Sequence, residues 1–318
     1  MRKKLEKKLI KLLGQSSALV LRQPRLAHHI PFNIHNTREL YSELSNQLCC
    51  VLGRAVSYRL RSIIVEPTNT CNLRCLTCPV NVDLKREKGF MEFTLFKKIV
   101  DDNPHLDFLH LTFAGEPLLH PRVMDMISYA KSHGVRVGLV TNATLLDKLV
   151  TQQLLDSGLD VITFSVDGVD DTFERVRGVN YKAIETKILD FIAAGKAQGN
   201  PVKTEVSMVL FHETLPYVES FQKSWEGRVD WVNIQPQIGF EKIPRNRRCR
   251  NLWRTLAVYW DGRVVPCCVD YEGAWVLGDA RQESLSKIFN GPRIQALRQR
   301  HAAGRFDSIC EYCSPFFG

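Results

Sequence analysis

Residues 61–80 read RSIIVEPTNTCNLRCLTCPV, and their order decides how the rest of the chain is read. The opening RSIIVEP is short and β-branched, so it predicts a strand over 61–67. Turn formers follow, and then Cys71, Cys75 and Cys78 on one loop. Parallel sheets and barrels build their active sites at the carboxyl ends of their strands, where this loop must lie. Thiolates suit soft metals and iron–sulfur clusters, and a complete cubane takes four of them. Three leave one iron open, just as three-ligand catalytic zinc sites keep an open position.

Outward from this loop the chain alternates short β-branched runs with longer helical stretches. LDFLHLTF (106–113), VRVGLVTN (135–142), LDVITFSVD (159–167), VKTEVSMVL (202–210) and VDWVNIQ (229–235) predict five more strands. Helices are expected over 92–100, 121–133, 145–157, 181–198 and 214–225. The pattern is that of parallel βα units, an α/β fold. Residues 58–240 are too few for an eight-unit barrel, which takes about 250 residues, so an incomplete barrel or open sheet is expected. After Phe240 comes a basic loop, EKIPRNRRCRN; TLAVYW and RVVPC then flank Asp261-Gly262, a hairpin signal, and helices are expected over 283–290 and 292–303. This stretch, 241–318, reads as a small separate α+β module.

The chain has 318 residues, 44% of them hydrophobic, with 43 Lys and Arg against 34 Asp and Glu, which excludes disordered and collagen-like classes. No apolar run approaches the roughly 18 residues that cross a bilayer, and no secretory signal is evident. A cytosolic, cytoplasmic location is therefore expected, where thiols stay reduced and ten cysteines point to metal ligation or catalysis before disulfides. The first 57 residues form an N-terminal extension. Its segment 1–14, MRKKLEKKLIKLLG, sets six basic residues against Glu6, with Leu5, Leu9, Leu12 and Leu13 at helical spacing. Such a basic amphipathic helix suits peripheral contact with an anionic membrane or a partner; the plainer reading is a solvated helix. No basic face interleaved with aromatics is present, so no nucleic-acid partner is expected.

Cys71-x3-Cys75-x2-Cys78 after a strand resembles the signature of the radical S-adenosylmethionine (SAM) enzymes. Ala114-Gly115-Glu116-Pro117 after the second strand, Thr141-Asn142-Ala143-Thr144 after the third and Ser165-Val166-Asp167-Gly168 after the fourth resemble motifs of the same family. The resemblance implies a partial (β/α)6 barrel. It implies a 4Fe-4S cluster on Cys71, Cys75 and Cys78 whose open iron binds the amino and carboxylate groups of SAM. It also implies a flavodoxin or ferredoxin-type electron donor, and cleavage of SAM to a 5′-deoxyadenosyl radical that removes a hydrogen atom from a substrate C–H bond. Within that frame Gly115 lets the backbone approach a ligand closely and Glu116 accepts from the SAM ammonium, although alone the pair reads as a turn. Asn142, Ser165 and Asp167 offer hydrogen bonds to ribose, adenine or carboxylate, and Arg177 can pair with the SAM carboxylate. The family often has an aromatic before the third cysteine; Thr77 departs from that pattern and leaves cluster ligation untouched.

Cys249-x12-Gly262-x4-Cys267 with Cys310-x2-Cys313 resembles the SPASM domain, or the shorter twitch domain, of radical SAM enzymes. It implies an auxiliary 4Fe-4S cluster on Cys249, Cys267, Cys310 and Cys313. The full SPASM pattern needs further cysteines, and only 314–318 follow, so one auxiliary cluster is expected, two clusters in all. The rival is a four-thiolate zinc site. Cys268 is left over, as a small buried hydrophobe or as a hydrogen-atom donor that would make the reaction an epimerisation. If instead the substrate radical loses a proton, with Asp270 as acceptor, and an electron to the auxiliary cluster, the outcome is dehydrogenation. Cys49 and Cys50 read as core residues. Arg245, Arg247, Arg248 and Arg250 suit an anionic substrate or an acidic electron donor, or form a solvated loop. The expected enzyme is a radical SAM oxidoreductase, a dehydrogenase or epimerase acting on a carbinol carbon of a small sugar or aminocyclitol. A peptide-modifying maturase is the alternative, disfavoured because 1–57 shows no leader-binding pattern. A non-catalytic iron–sulfur or zinc scaffold is disfavoured by the strand-end motifs.

Overall fold

Strands form where the β-branched runs stand. A computed structural model of the chain describes residues 36–76, 78, 84–200, 202–237, 244–306 and 308–313. The segment 1–14, Thr77 and the tail 314–318 lie outside the described residues. The strands β1 (Ser62–Val65), β2 (Phe108–Leu111), β3 (Arg136–Thr141), β4 (Val161–Ser165), β5 (Lys203–Leu210) and β6 (Trp231–Pro236) pair in sequence order, all parallel. Between them run α2 (Phe93–Asp101), α3 (Val123–Ser132), α4 (Lys148–Asp156), α5 (Asp170–Arg177), α6 (Tyr181–Ala197) and α7 (Val218–Trp225), preceded by α1 (Thr37–Val51). The sheet does not close, which is the partial-barrel architecture expected.

Side chains alternate across a strand, and here the alternation separates two chemistries. Ile63, Val65, Leu109, Leu111, Val137, Leu139, Ile162, Phe164, Val206 and Met208 are all buried in one hydrophobic core with the helices. The opposite, inner face carries His110, Thr163, Ser165, Glu205, Ser207, Asn233 and Gln235, brought level by the registers Thr163↔Glu205, Ser165↔Ser207 and Ser207↔Asn233. The helices between the strands dock by short apolar stripes. In α2, Leu95, Phe96, Ile99 and Val100 are buried, and truncating Phe96 to Ala would cost about 3–5 kcal/mol. Asn36, Asp147 and Asn180 start α1, α4 and α6 by accepting from the amides of Glu39, Val150 and Ala183.

The C-terminal module is less separate than its sequence reads. β7 (Thr255–Val258) pairs parallel with β1, so the sheet continues β6-β5-β4-β3-β2-β1-β7-β8-β9. β8 (Arg263–Val265) and β9 (Gly278–Asp279) add antiparallel, with the expected turn at Asp261-Gly262, where Gly262 has φ +91°. The helices α8 (Leu285–Phe289) and α9 (Pro292–Ala302) follow. Two further helices differ from expectation. α5 occupies residues for which no helix was expected, because only Thr172, Phe173 and Val176 of its eight residues are buried and the apolar period is too sparse to see. The signals present were its end charges, Asp170 and Asp171 against Arg175 and Arg177, and Gly178 at φ +73°. α1 lies in the extension that showed no motif.

Candidate active site

The three-cysteine loop leaves β1 and is tied to the other strand ends around it. Glu116 N donates to Thr70 O at 2.9 Å, and Leu76 N donates to Val176 O in α5 at 2.8 Å. A Cβ at Gly115 would lie 2.3 Å from Thr68 O and 2.6 Å from Thr70 O, so glycine is required there by the cluster loop itself. Asn142 Nδ2 reaches Asn72 Oδ1 at 2.9 Å and Cys71 Sγ at 3.9 Å, while its Oδ1 accepts from Thr144 N at 2.9 Å. Three separate rim segments, at Gly115–Glu116, Asn142 and Val176, thereby fix the loop that carries the three cysteines.

Two buried carboxylates organise that rim. Glu116 accepts from Thr141 Oγ1 and Asn142 N, both at 2.7 Å, and from Leu118 N at 3.1 Å, so it joins the end of β2 to the end of β3. Burial raises its pKa above the ordinary carboxylate value although these donors oppose the shift. Three donors leave a carboxylate room for one more. Asp167 accepts from Val209 N at 2.7 Å and pairs with Arg177, whose Nη2 stands 2.7 Å from Oδ2. The expected partner of Arg177 was the SAM carboxylate; in the protein itself Asp167 holds it, facing Cys75 and Cys78, whose charges with that of Asp167 favour the guanidinium against its desolvation. Ser165 ends β4 on the inner face. Desolvation raises the thiol pKa of Cys71 and Cys75, so bare thiolates are unfavourable and coordination to a metal would supply the missing positive charge.

The second thiol group gathers distant residues. Cys249, Cys267, Cys310 and Cys313 interact electrostatically, and burial drives the thiol pKa of Cys267 well up and that of Cys310 to about 12. Arg245 Nη2 donates to Cys313 Sγ at 3.3 Å, and Arg245 N to Glu311 O at 2.8 Å. His301 Nδ1 accepts from Cys249 N at 3.3 Å. Cys268 is half-buried, with a pKa near 11 from desolvation and the neighbouring Cys313. The Asp270 carboxylate accepts from Ala274 N at 2.8 Å and Trp275 N at 2.9 Å, which pins the turn after the cysteine pair. Cys50 lies in the core and Cys49 packs against it. Among the described residues no three His, Cys, Asp or Glu side chains converge as a single-ion site.

The model of the radical SAM superfamily matches residues 65–224, half of the chain, and that of the SPASM iron–sulfur cluster-binding domain matches 249–314. The chain is a radical SAM protein. Its cofactors are SAM and 4Fe-4S clusters, and the thiol sets described above fit them in residue type and burial. This radical SAM protein is 38% identical over 111 residues to the tungsten-containing aldehyde ferredoxin oxidoreductase cofactor-modifying protein of Pyrococcus furiosus, covering 34% of the chain and 31% of that relative. It is 27% identical over 180 residues to the PqqA peptide cyclase of Xanthomonas oryzae pv. oryzae, covering 55% and 47%. The matches therefore span a third to a half of these relatives. BtrN in complex with AdoMet and 2-DOIA superposes with a TM-score of 0.57 at 19% identity, covering 81% of the chain and 94% of BtrN, and shares the fold. No described helix of the radical SAM protein is long and apolar enough to cross a membrane.

Sequence reasoning passed over the inner face. Glu205 Oε1 accepts from Thr163 Oγ1 and Asn233 Nδ2, both at 3.3 Å, and Gln235 Nε2 donates to Ser207 Oγ at 2.9 Å. The signal was the every-second-residue polar run in strands otherwise apolar, Thr163 and Ser165, Glu205 and Ser207, Asn233 and Gln235. Also unread was the buried pair Arg86–Glu66, at 2.7 Å, which binds the loop after Cys78 to the C-terminal module: Arg86 Nε donates to Tyr271 O at 2.5 Å and its guanidinium lies 3.7 Å over the Tyr259 ring.

Proposed function

We propose that this radical SAM protein is an oxidoreductase acting at a carbinol C–H bond of a sugar or aminocyclitol, by dehydrogenation or epimerisation. The observation that carries the reading is the polar inner face of β4–β6, where hydroxyl, amide and carboxylate groups line the sheet just below the rim that carries the cluster loop. These groups now pair among themselves through Glu205 and Ser207, and a polyhydroxylated substrate offers hydroxyls that can exchange hydrogen bonds with them. In this reading Cys71, Cys75 and Cys78 hold one 4Fe-4S cluster, and Cys249, Cys267, Cys310 and Cys313 hold the auxiliary one. Gly115, Glu116, Asn142, Ser165, Asp167 and Arg177 surround SAM, Glu116 giving its remaining acceptor site to the ammonium and Asn142 and Ser165 facing ribose or adenine. Bound together, cluster and SAM supply a hydrogen-abstracting radical when a flavodoxin or ferredoxin-type donor delivers an electron. The protein's share is to orient the carbinol hydrogen and to exclude water. Cys268 then decides the outcome: with its thiol as hydrogen donor the enzyme is an epimerase, without it a dehydrogenase. The backbone bonds of Asp270 favour a structural role for that residue over proton transfer.

Anaerobically reconstituted protein, reduced and offered sugars, aminocyclitols and short peptides in turn, should release 5′-deoxyadenosine in step with conversion of a polyol. A dehydrogenated product has lost two hydrogens and should survive Cys268→Ala. An epimerised one keeps its mass, takes up solvent deuterium, and should fail in that variant. Turnover of peptides alone would sink the polyol reading in favour of a peptide maturase, the class to which the PqqA peptide cyclase relative points.

A further inference from the structure

Helix α1 buries a mixed face, Leu40 and Cys50 together with Glu39, Ser42, Glu43 and Asn46, and leaves Tyr41, Leu44, Leu48 and Val51 facing outward at 61%, 43%, 57% and 72% exposure. Its inward face is held by polar bonds. Glu39 pairs with Arg136 at 2.9 Å, Glu43 with Arg254 at 3.2 Å and with Arg61, and Asn46 Nδ2 donates to Arg59 O at 2.8 Å. Those bonds fix the rotation of the helix against the ordinary rule, by which the apolar stripe would face the core. Single exposed leucines carry no message, but a contiguous apolar strip does. Here Tyr41, Leu44, Leu48 and Val51 stand at i, i+3, i+7 and i+10, Leu52 extends the row, and Tyr58 meets Tyr41 edge-on with ring centroids 5.3 Å apart.

The charges beside the strip have one sign. Between residues 36 and 58 the exposed charged side chains are Arg38 and Arg54, and both glutamates of α1 are buried. Arg248 adds a third guanidinium at the end of the helix, donating to Val51 O at 2.6 Å. The chain entering α1 begins with the segment 1–14, itself basic. We propose that α1 is a docking face for an anionic lipid bilayer. It lies flat, with Leu44, Leu48, Val51 and Leu52 at the headgroup–acyl boundary, Tyr41 and Tyr58 among the headgroups and the arginines on lipid phosphates. Charge selects this occupant over two others. A two-fold contact with a second copy would bring arginine against arginine, and the segment 1–14 would bring its lysines to an already basic rim.

The test is flotation of the full-length protein with vesicles of phosphatidylcholine alone or with about one-third phosphatidylglycerol. The protein should bind the anionic vesicles and not the neutral ones. Leu44→Glu with Leu48→Glu, both at exposed positions, should weaken that binding by about tenfold or more while leaving iron content and SAM cleavage unchanged. Arg38→Glu with Arg54→Glu should weaken it and flatten its salt dependence. Any of four results would overturn the proposal: no binding by the unaltered protein, binding indifferent to the leucine changes, a dimer that those changes dissociate, or binding that rises, or vanishes entirely, when residues 1–14 are deleted.

Discussion

The two thiol groups of this protein are built on opposite plans. Cys71, Cys75 and Cys78 come from eight consecutive positions after β1, and the fold's work is to brace one loop from outside, through Gly115, Asn142 and the Val176 carbonyl. Cys249, Cys267, Cys310 and Cys313 come from a span of 65 positions, and the fold's work is to bring remote segments together, through Arg245 to Glu311 and His301 to Cys249. A site made by one loop can leave a coordination position open and still be rigid, because its bracing does not depend on the missing ligand. A site gathered from afar is completed by its fourth thiol, which also closes the module. On the ligand assignment proposed above, the comparison separates a position for chemistry from one for electron storage and cohesion.

Removing ligands should break the symmetry most strongly. Cys71→Ala, Cys75→Ala and Cys78→Ala together should abolish SAM cleavage and lower bound iron from about eight to about four per chain. The corresponding change of Cys249, Cys267, Cys310 and Cys313 should take out the same amount of iron, abolish product formation and still leave SAM cleavage measurable. Iron analysis with 5′-deoxyadenosine release reads both. SAM cleavage that survived the first set would remove the basis for assigning the open cluster to that loop.

Each site also contains a buried aspartate, and the two should differ in cost. Asp167 is 2% exposed and carries both the Arg177 pair and the Val209 amide. Asp167→Ala strands a buried cation, so a loss of about 3–5 kcal/mol is expected, together with weakened SAM binding. Among the described residues the Asp270 carboxylate accepts from the backbone amides of Ala274 and Trp275. Asp270→Ala should cost about 2 kcal/mol, largely recovered in Asp270→Asn, with SAM cleavage unchanged. Denaturation midpoints and SAM titration separate the two. If Asp270→Asn keeps stability but stops turnover, Asp270 takes part in proton transfer after all.

How far each site could be read from the sequence follows from the same contrast. The three-cysteine loop and the strand-end motifs were legible because ligand spacing on a loop and period-two apolar runs are local properties, and β1 to β6 stand where their runs predicted them. The roles within the rim were less legible. That Arg177 pairs with Asp167, and that Gly115 is required by Thr68 and Thr70, depend on which loops meet at the end of the barrel, which spacing does not encode. The C-terminal residues read as a separate module because their turn and helices are local signals, whereas the parallel pairing of β7 with β1 joins positions nearly 200 apart and leaves no mark in either run. α1 went unread because its inward face mixes Leu40 and Cys50 with Glu39, Ser42, Glu43 and Asn46 while leucines stand outside, which blurs the pattern that betrays a helix packed on a core.

The smallest expected effect tests the electron-storage half of the comparison. Arg245 stands 3.3 Å from Cys313 Sγ, and its charge interacts with Cys249 and Cys310 as well. Reduction adds negative charge to a cluster held by those thiolates, so a neighbouring guanidinium stabilises the reduced state more than the oxidised one. Arg245→Gln removes the charge while keeping a donor of similar reach. It should lower the midpoint potential of the auxiliary cluster by on the order of 50 mV, about 1 kcal/mol for one electron. Arg245→Lys should restore part of that shift. The cluster on Cys71, Cys75 and Cys78, beside Arg177 and its own aspartate, should keep its potential, and SAM cleavage its rate. Redox titration followed by electron paramagnetic resonance distinguishes the two centres. A shift shared by both would mean that Arg245 acts through the packing between the sites, and an unchanged auxiliary potential would mean that its charge is spent on holding Cys313 in place.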